Sequence, residues 1–105
     1  MKKAIEEIRQ FNAERDWEQF HTPENLAKSI SIEAGELLEC FQWDANYDPE
    51  HVKEEMADVY SYLLMMADEL NVDLEEITLA KIEKNKIKYP VERARGNSAK
   101  YDKLD

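Results

Sequence analysis

Glycine and proline are scarce in this chain, two and three among 105 residues, and that scarcity argues against sheets and long loops, which are built on turn residues. Glu, Lys, Leu, Ala and Met fill the composition instead, so helix is the default. The single cysteine, Cys40, cannot form an internal disulfide, fits a reducing compartment and lacks the companions of a zinc site or a nucleophile, which leaves it as a small packing residue. No apolar run approaches the roughly 20 residues that a membrane-spanning helix needs, and no charged-then-apolar leader is present. The expectation is a cytoplasmic protein with no membrane partner. Basic residues are short as well: 14 Lys and Arg against 24 Asp and Glu leave a net charge of -10, which repels a nucleic-acid backbone and argues against a DNA- or RNA-binding module. A free nucleotide is a different case, because cations held by the protein's own acids can bridge to its phosphates.

The expected organisation is all-α: one domain over residues 1–105, with four helices and a C-terminal tail over 91–105. Helix one runs from Lys2 to Glu14, and Arg15 to His21 follows as an aromatic-rich connection with Trp17 and Phe20. Thr22 and Pro23 open helix two as cap and first-turn proline. Asn46, Tyr47 and Asp48 form a turn, after which Asp48 caps helix three and Pro49 takes its first position. Asn71 is the left-handed stop of that helix. Asp73, with Glu76 three residues on, starts helix four, which ends near Tyr89 because Pro90 forbids continuation.

Against this background four carboxylates stand out as two pairs, Glu33 and Glu36 in SIEAGELLE and Glu55 and Asp58 in EEMADVY. Each pair has i, i+3 spacing, so its members project from one helical face about a turn apart. Winding Leu26 to Trp43 as a helix gives an apolar stripe of Leu26, Ile30, Ala34, Leu37, Leu38 and Phe41, with Glu33 inside its edge and Glu36 bracketed by Ile32 and Trp43. Winding Val52 to Leu70 gives Val52, Met56, Val59, Leu63, Met66 and Leu70, with Glu55 at the margin. Tyr60 falls deeper in this second stripe than Tyr62 and is assigned to the core. A carboxylate half inside an apolar face is costly without a partner. Four such charges aimed at one point repel each other unless a multivalent cation sits among them, and an all-oxygen ligand set suits Mg²⁺, with Mn²⁺ as a substitute. Glu39, Glu50, Glu54 and Asp68 read as ordinary solvated acids.

Helix four carries the opposite charge. Lys81, Lys84, Asn85 and Lys88 share one face, and Arg93, Arg95, Lys100 and Tyr101 follow. Its apolar residues spread around most of the circumference, more than one helical hairpin can cover, so a homo-oligomer is expected.

These residues also carry a resemblance. The ExxE, spacer, ExxD pattern reads E33-A-G-E36, eighteen intervening residues, then E55-M-A-D58. It is flanked by ERDWEQFH at 14–21, GELLECFQW at 35–43, KNKIKYP at 84–90 and RGNSAKY at 95–101. In these motifs, which span nearly the whole chain, it resembles the all-α nucleoside triphosphate pyrophosphohydrolases, the MazG-like group, in their dCTP pyrophosphatase branch. The resemblance implies a four-helix bundle completed by oligomerisation as a dimer or a dimer of dimers, and Mg²⁺-dependent hydrolysis of (deoxy)nucleoside triphosphates, of the dCTP or dATP type or modified, to monophosphate and pyrophosphate. It assigns Glu33, Glu36, Glu55 and Asp58 as metal ligands. Trp17, Trp43 and Tyr62 become the base and sugar pocket, and Asn85 a substrate contact. Lys81, Lys88, Lys100 and Tyr101 fall where phosphate contacts are expected. Close eukaryotic relatives place a His on helix one near the base where this chain has Ile8, a departure that leaves strict dCTP preference open.

The chemistry is consistent with the residues alone. Attack on an α-phosphate requires an activated water and neutralised charge on the departing pyrophosphate, which a divalent cation supplies. Glu33 and Glu36 are the candidates for taking the water's proton. Two other classes compete: a di-iron bundle, which requires Glu-x-x-His motifs that neither acid pair has, and a non-catalytic helical oligomer, in which Glu33 and Glu55 would be dispensable.

Overall fold

The computed structural model describes residues 2–43 and 45–98. Among these, every regular element is helical: α1 Lys2–Glu14, a 3-10 turn Glu18–Phe20, α2 Pro23–Glu39, α3 Pro49–Glu69, α4 Leu74–Lys88 and a single turn α5 Val91–Ala94. The short α5, following Pro90, occupies part of what the sequence presents as a plain tail. No helix is long and apolar enough to cross a membrane. The chain divides into two compact units, one ending at Val72 and one beginning at Asp73.

The helix starts follow their caps. Thr22 Oγ1 accepts the Asn25 N–H at 3.2 Å, with Pro23 in the first turn. Asp48 Oδ1 accepts the Glu50 N–H at 3.1 Å, again before a proline. Asp73 Oδ1 accepts the Glu76 N–H at 3.2 Å. Each satisfies an N–H group that the helix itself leaves unpaired. Two stops use left-handed backbone: Asp16 at φ 53° after α1 and Asn71 at φ 55° after α3. Both residue types tolerate that conformation. At Asp16 the turn sends the Trp17 N–H back to the Asn12 carbonyl at 3.0 Å, while the Gln19 amide clips the Asp16 carbonyl and carboxylate.

Helix α2 is shorter than the stripe from Leu26 to Trp43 suggests. The N–H groups of Cys40, Phe41 and Gln42 donate to the carbonyls of Leu37, Leu38 and Glu39, an i, i+3 tightening that ends the α-helix at Glu39. Trp43 therefore lies past the helix, 87% exposed, and does not bracket Glu36.

In the first unit α2 packs along α3, and α1 also packs on α3. Leu26 at 1% exposure, Leu64 and Ala67 form the buried centre. The half-buried side of α2 continues from Leu26 through Ile30, Glu33 and Leu37 to Cys40, and that of α3 runs through Val52, Glu55, Val59, Tyr62 and Met66. Both are heptad-like successions, as expected for two helices packed along their length. The packed face is thus turned from the expected one: Ala34 and Leu38 on α2 and Met56 on α3 are exposed, as are Phe41 and Leu70 just past the ends of the two helices. Tyr60 is exposed too, and Tyr62 is the tyrosine that turns inward. Each helix carries two apolar sides, and packing within the described residues of the first unit covers only one of them.

Candidate functional site

That rotation puts Glu33 and Glu55 within the α2–α3 seam rather than at its edge. The consequence is a cluster with an inner and an outer pair: Glu33 and Glu55 are half-buried, Glu36 and Asp58 exposed, and each offers an oxygen within 4.8 Å of those of the others. Glu33 Oε2 and Glu55 Oε2 are fully buried and accept no hydrogen bond. A buried carboxylate oxygen without a donor is unfavourable in the metal-free state. An octahedral Mg²⁺ places opposite ligands about 4.2 Å apart, so this donor set fits one small hard cation with little adjustment.

The electrostatics follow the geometry. The Glu33 carboxyl is pushed up to about 7, first by a hydrogen bond shared with Glu36, then by burial and by the charges of Glu36, Asp58 and Glu55. Glu55 is raised by burial and by Glu36 and Asp58, with His51 pulling the other way. His51, one turn before Glu55 on α3, brings Nε2 to 3.3 Å from Glu55 Oε1, and its Nδ1 lies 3.8 Å from Cys40 Sγ. Burial and the nearby acids raise the Cys40 thiol as well, so it stays protonated and packs as expected. Burial raises the Tyr62 phenol, followed by Glu33, Asp58 and Glu36. Tyr62 is therefore a neutral hydroxyl beside the acids.

A cleft of about 360 Å³ opens next to the cluster, walled by Asp58, Ser61, Tyr62 and Met65 of α3, Phe11 and Asn12 of α1, and Trp17 and His21 of the connection. Trp17 meets Phe11 edge to face at 5.6 Å, and Arg15 caps the Phe11 ring at 3.8 Å. A second cleft of about 250 Å³ adjoins it, sharing Asn12, His21 and Met65 and reaching Ile8 and the Arg9–Asp68 ion pair. Asp68 is thus paired, and the guanidinium holds its carboxyl below the usual range.

Among the site residues expected from sequence, the structure brings together Glu33, Glu36, Glu55, Asp58, Tyr62 and Trp17. Trp43 does not wall this cleft. Lys81, Asn85 and Lys88 lie on α4 in the second unit, one face at i, i+4 and i+7, while Lys100 and Tyr101 lie outside the described residues. Two residues beside the cluster and cleft escape the sequence reading. Asn12 continues the inward register of Ile5 and Ile8, so a polar residue at an apolar position was the available signal. His51 stands four before Glu55 on the same face. His21, at the end of the connection, walls both clefts.

The chain matches the MazG-like family over residues 28–104. It is 40% identical over 115 residues to dCTP pyrophosphatase 1 of Mus musculus and of Homo sapiens, spanning 96% of this chain and 68% of each relative. A solved pyrophosphatase from Archaeoglobus fulgidus DSM 4304 superposes with a TM-score of 0.77 at 43% identity, covering 86% of this chain and 92% of that one. With its acid pairs, helical seam and aromatic cleft in place, the chain belongs to the MazG-like family.

Proposed function

We propose that this nucleoside triphosphate pyrophosphatase uses Mg²⁺ held by Glu33, Glu36, Glu55 and Asp58 to hydrolyse deoxynucleoside triphosphates of the dCTP or dATP type to monophosphate and pyrophosphate. The observation that carries the reading is the convergence of the four carboxylates, with two buried oxygens that no protein donor satisfies. The names of the mammalian relatives support dCTP as the first substrate to test.

A bound divalent cation would supply charge neutralisation on the phosphates and an acidified water. The remaining work falls to the chain. Glu33 and Glu55, inside the seam, are held by the packing of α2 on α3 and fix the donor geometry. Glu36, the solvent-open member of the first pair, is placed to take the proton of the attacking water. His51 steadies Glu55 from behind. Trp17, Phe11 and Tyr62 give the cleft flat apolar surface for a nucleobase, worth about 1–3 kcal/mol per stacked base. Phosphate contacts are assigned by the resemblance to Lys81, Asn85 and Lys88, and substituting either lysine by Ala is expected to raise KM more than it lowers kcat.

The same proposal includes assembly into a dimer or tetramer. Leu38 at 71% exposure, Trp43 and Ile87 are large apolar groups left bare by one chain, a pattern that marks protein interfaces. Sedimentation showing a monomer at all concentrations would remove that element. Turnover in ¹⁸O-labelled water tests the chemistry: attack at the α-phosphorus places the label in the monophosphate. Label in pyrophosphate would refute it.

A further inference from the structure

Asn12 is the buried polar side chain among the described residues, at 5% exposure. Its Nδ2 donates to Met65 Sδ at 3.7 Å, while its Oδ1 is buried with no partner. Its carbonyl accepts the N–H groups of Arg15 and Trp17 at 3.2 and 3.0 Å, so the amide and the Trp17 ring are tied to one backbone turn. The side chain stands where the two clefts meet, since both are walled by Asn12, His21 and Met65. The larger cleft has Asp58 of the acid cluster in its wall. Arg9, in the wall of the smaller cleft, donates through Nε and Nη2 to Asp68, and no donor reaches Oδ1. A buried acceptor held without a donor is rare and costly in a folded protein. The residue that carries it walls the cleft that the proposed substrate enters.

We propose that Asn12 reads the nucleobase, its Oδ1 accepting a hydrogen bond from the exocyclic amino group of a cytosine- or adenine-type base. This assignment rests on the pyrophosphatase reading above and adds the residue that sets base preference. Trp17 and Phe11 supply stacking, which every base can use, so discrimination requires an edge contact. A cytosine ring offers its amino N–H to Oδ1. A uracil ring offers a carbonyl oxygen at the same place, acceptor against acceptor. Turning the amide to suit uracil sets Oδ1 against the Met65 sulfur, a weak acceptor, and loses the N–H···S contact.

The experiment compares kcat/KM for dCTP and dUTP in the wild type, Asn12→Leu and Asn12→Ser, with thermal melting of each protein. The wild type is expected to favour dCTP by roughly 10–100-fold. Asn12→Leu is expected to bring the ratio near one, chiefly through a higher KM for dCTP, while melting at the wild-type temperature or above because an unsatisfied acceptor is gone. Asn12→Ser, smaller and still polar, provides the folded variant should leucine overfill the cleft, and is expected to lose the preference too. A dCTP/dUTP ratio unchanged in a folded variant overturns the Asn12 assignment while leaving the pyrophosphatase reading intact. A wild type inert toward both nucleotides overturns the pyrophosphatase reading and this assignment with it.

Discussion

Glu33 and Glu36, one turn apart on α2, share a hydrogen bond between their carboxyl groups, and this contact, ahead of burial, lifts Glu33 from 4.5 to about 7. The folded chain therefore holds a proton at Glu33 over a range where the unfolded chain has released it. Because the native state binds more protons, stability of the metal-free protein falls as pH rises from about 4.5 to about 7. Glu55 is shifted in the same direction. Asp68, held low by Arg9, loses its stabilising contribution only as pH falls below the usual carboxylate range. Melting in EDTA is expected at a lower temperature near pH 8 than near pH 5.5, with Mg²⁺ restoring the loss at the higher pH. The Glu33→Gln variant should flatten the profile. A melting temperature that rises across this window would contradict the picture.

Replacing the inner acids separates function from folding. Glu33→Gln and Glu55→Gln each remove a charge from the cluster without changing side-chain size. Activity is expected to fall by more than the roughly 10–100-fold typical of losing an outer partner of a metal site, while the metal-free melting temperature holds or rises. Variants that unfold would show that these acids are structural.

His51 is expected to act on metal affinity rather than on the fold. It is exposed, and its imidazole touches Glu55 Oε1. His51→Ala should weaken Mg²⁺ binding by about tenfold, measured as the Mg²⁺ concentration that half-saturates turnover, and leave melting in EDTA nearly unchanged. An unchanged Mg²⁺ requirement would remove His51 from the site.

Leu26 is the most deeply buried side chain of the first unit. Leu26→Ala should cost about 2–5 kcal/mol by denaturant unfolding, well above Leu38→Ala on the exposed side of the same helix. Equal costs would mean that assembly buries Leu38 as fully as the hairpin buries Leu26.

Local chemistry made much of this legible. Thr22 with Pro23, Asp48 with Pro49 and Asp73 with Glu76 announce helix starts because the capping group and the N–H it accepts are neighbours in sequence. The acid pairs were legible for the same reason, since i, i+3 spacing fixes their common face. The end of α2 was not, because Cys40 to Gln42 close it with backbone bonds that carry no glycine, proline or asparagine signal. Nor was the packed face of α2 and α3: both sides of each helix are apolar, and which side meets the partner helix is settled by tertiary contact. Tyr60 lies outside the core for that reason. Asn12 and His51 gain their meaning only when α1 and α2 lie against α3, although each sits at a helical spacing that links it to Ile8 or to Glu55.

The central claim is that the four carboxylates serve a cation-dependent hydrolysis of nucleoside triphosphates, and pyrophosphate release across the common ribo- and deoxynucleoside triphosphates, with and without Mg²⁺, tests it most directly. The account predicts release from dCTP or dATP that depends on Mg²⁺ and is lost in Glu55→Gln. Silence across the whole panel, or release indifferent to both Mg²⁺ and Glu55, would contradict it.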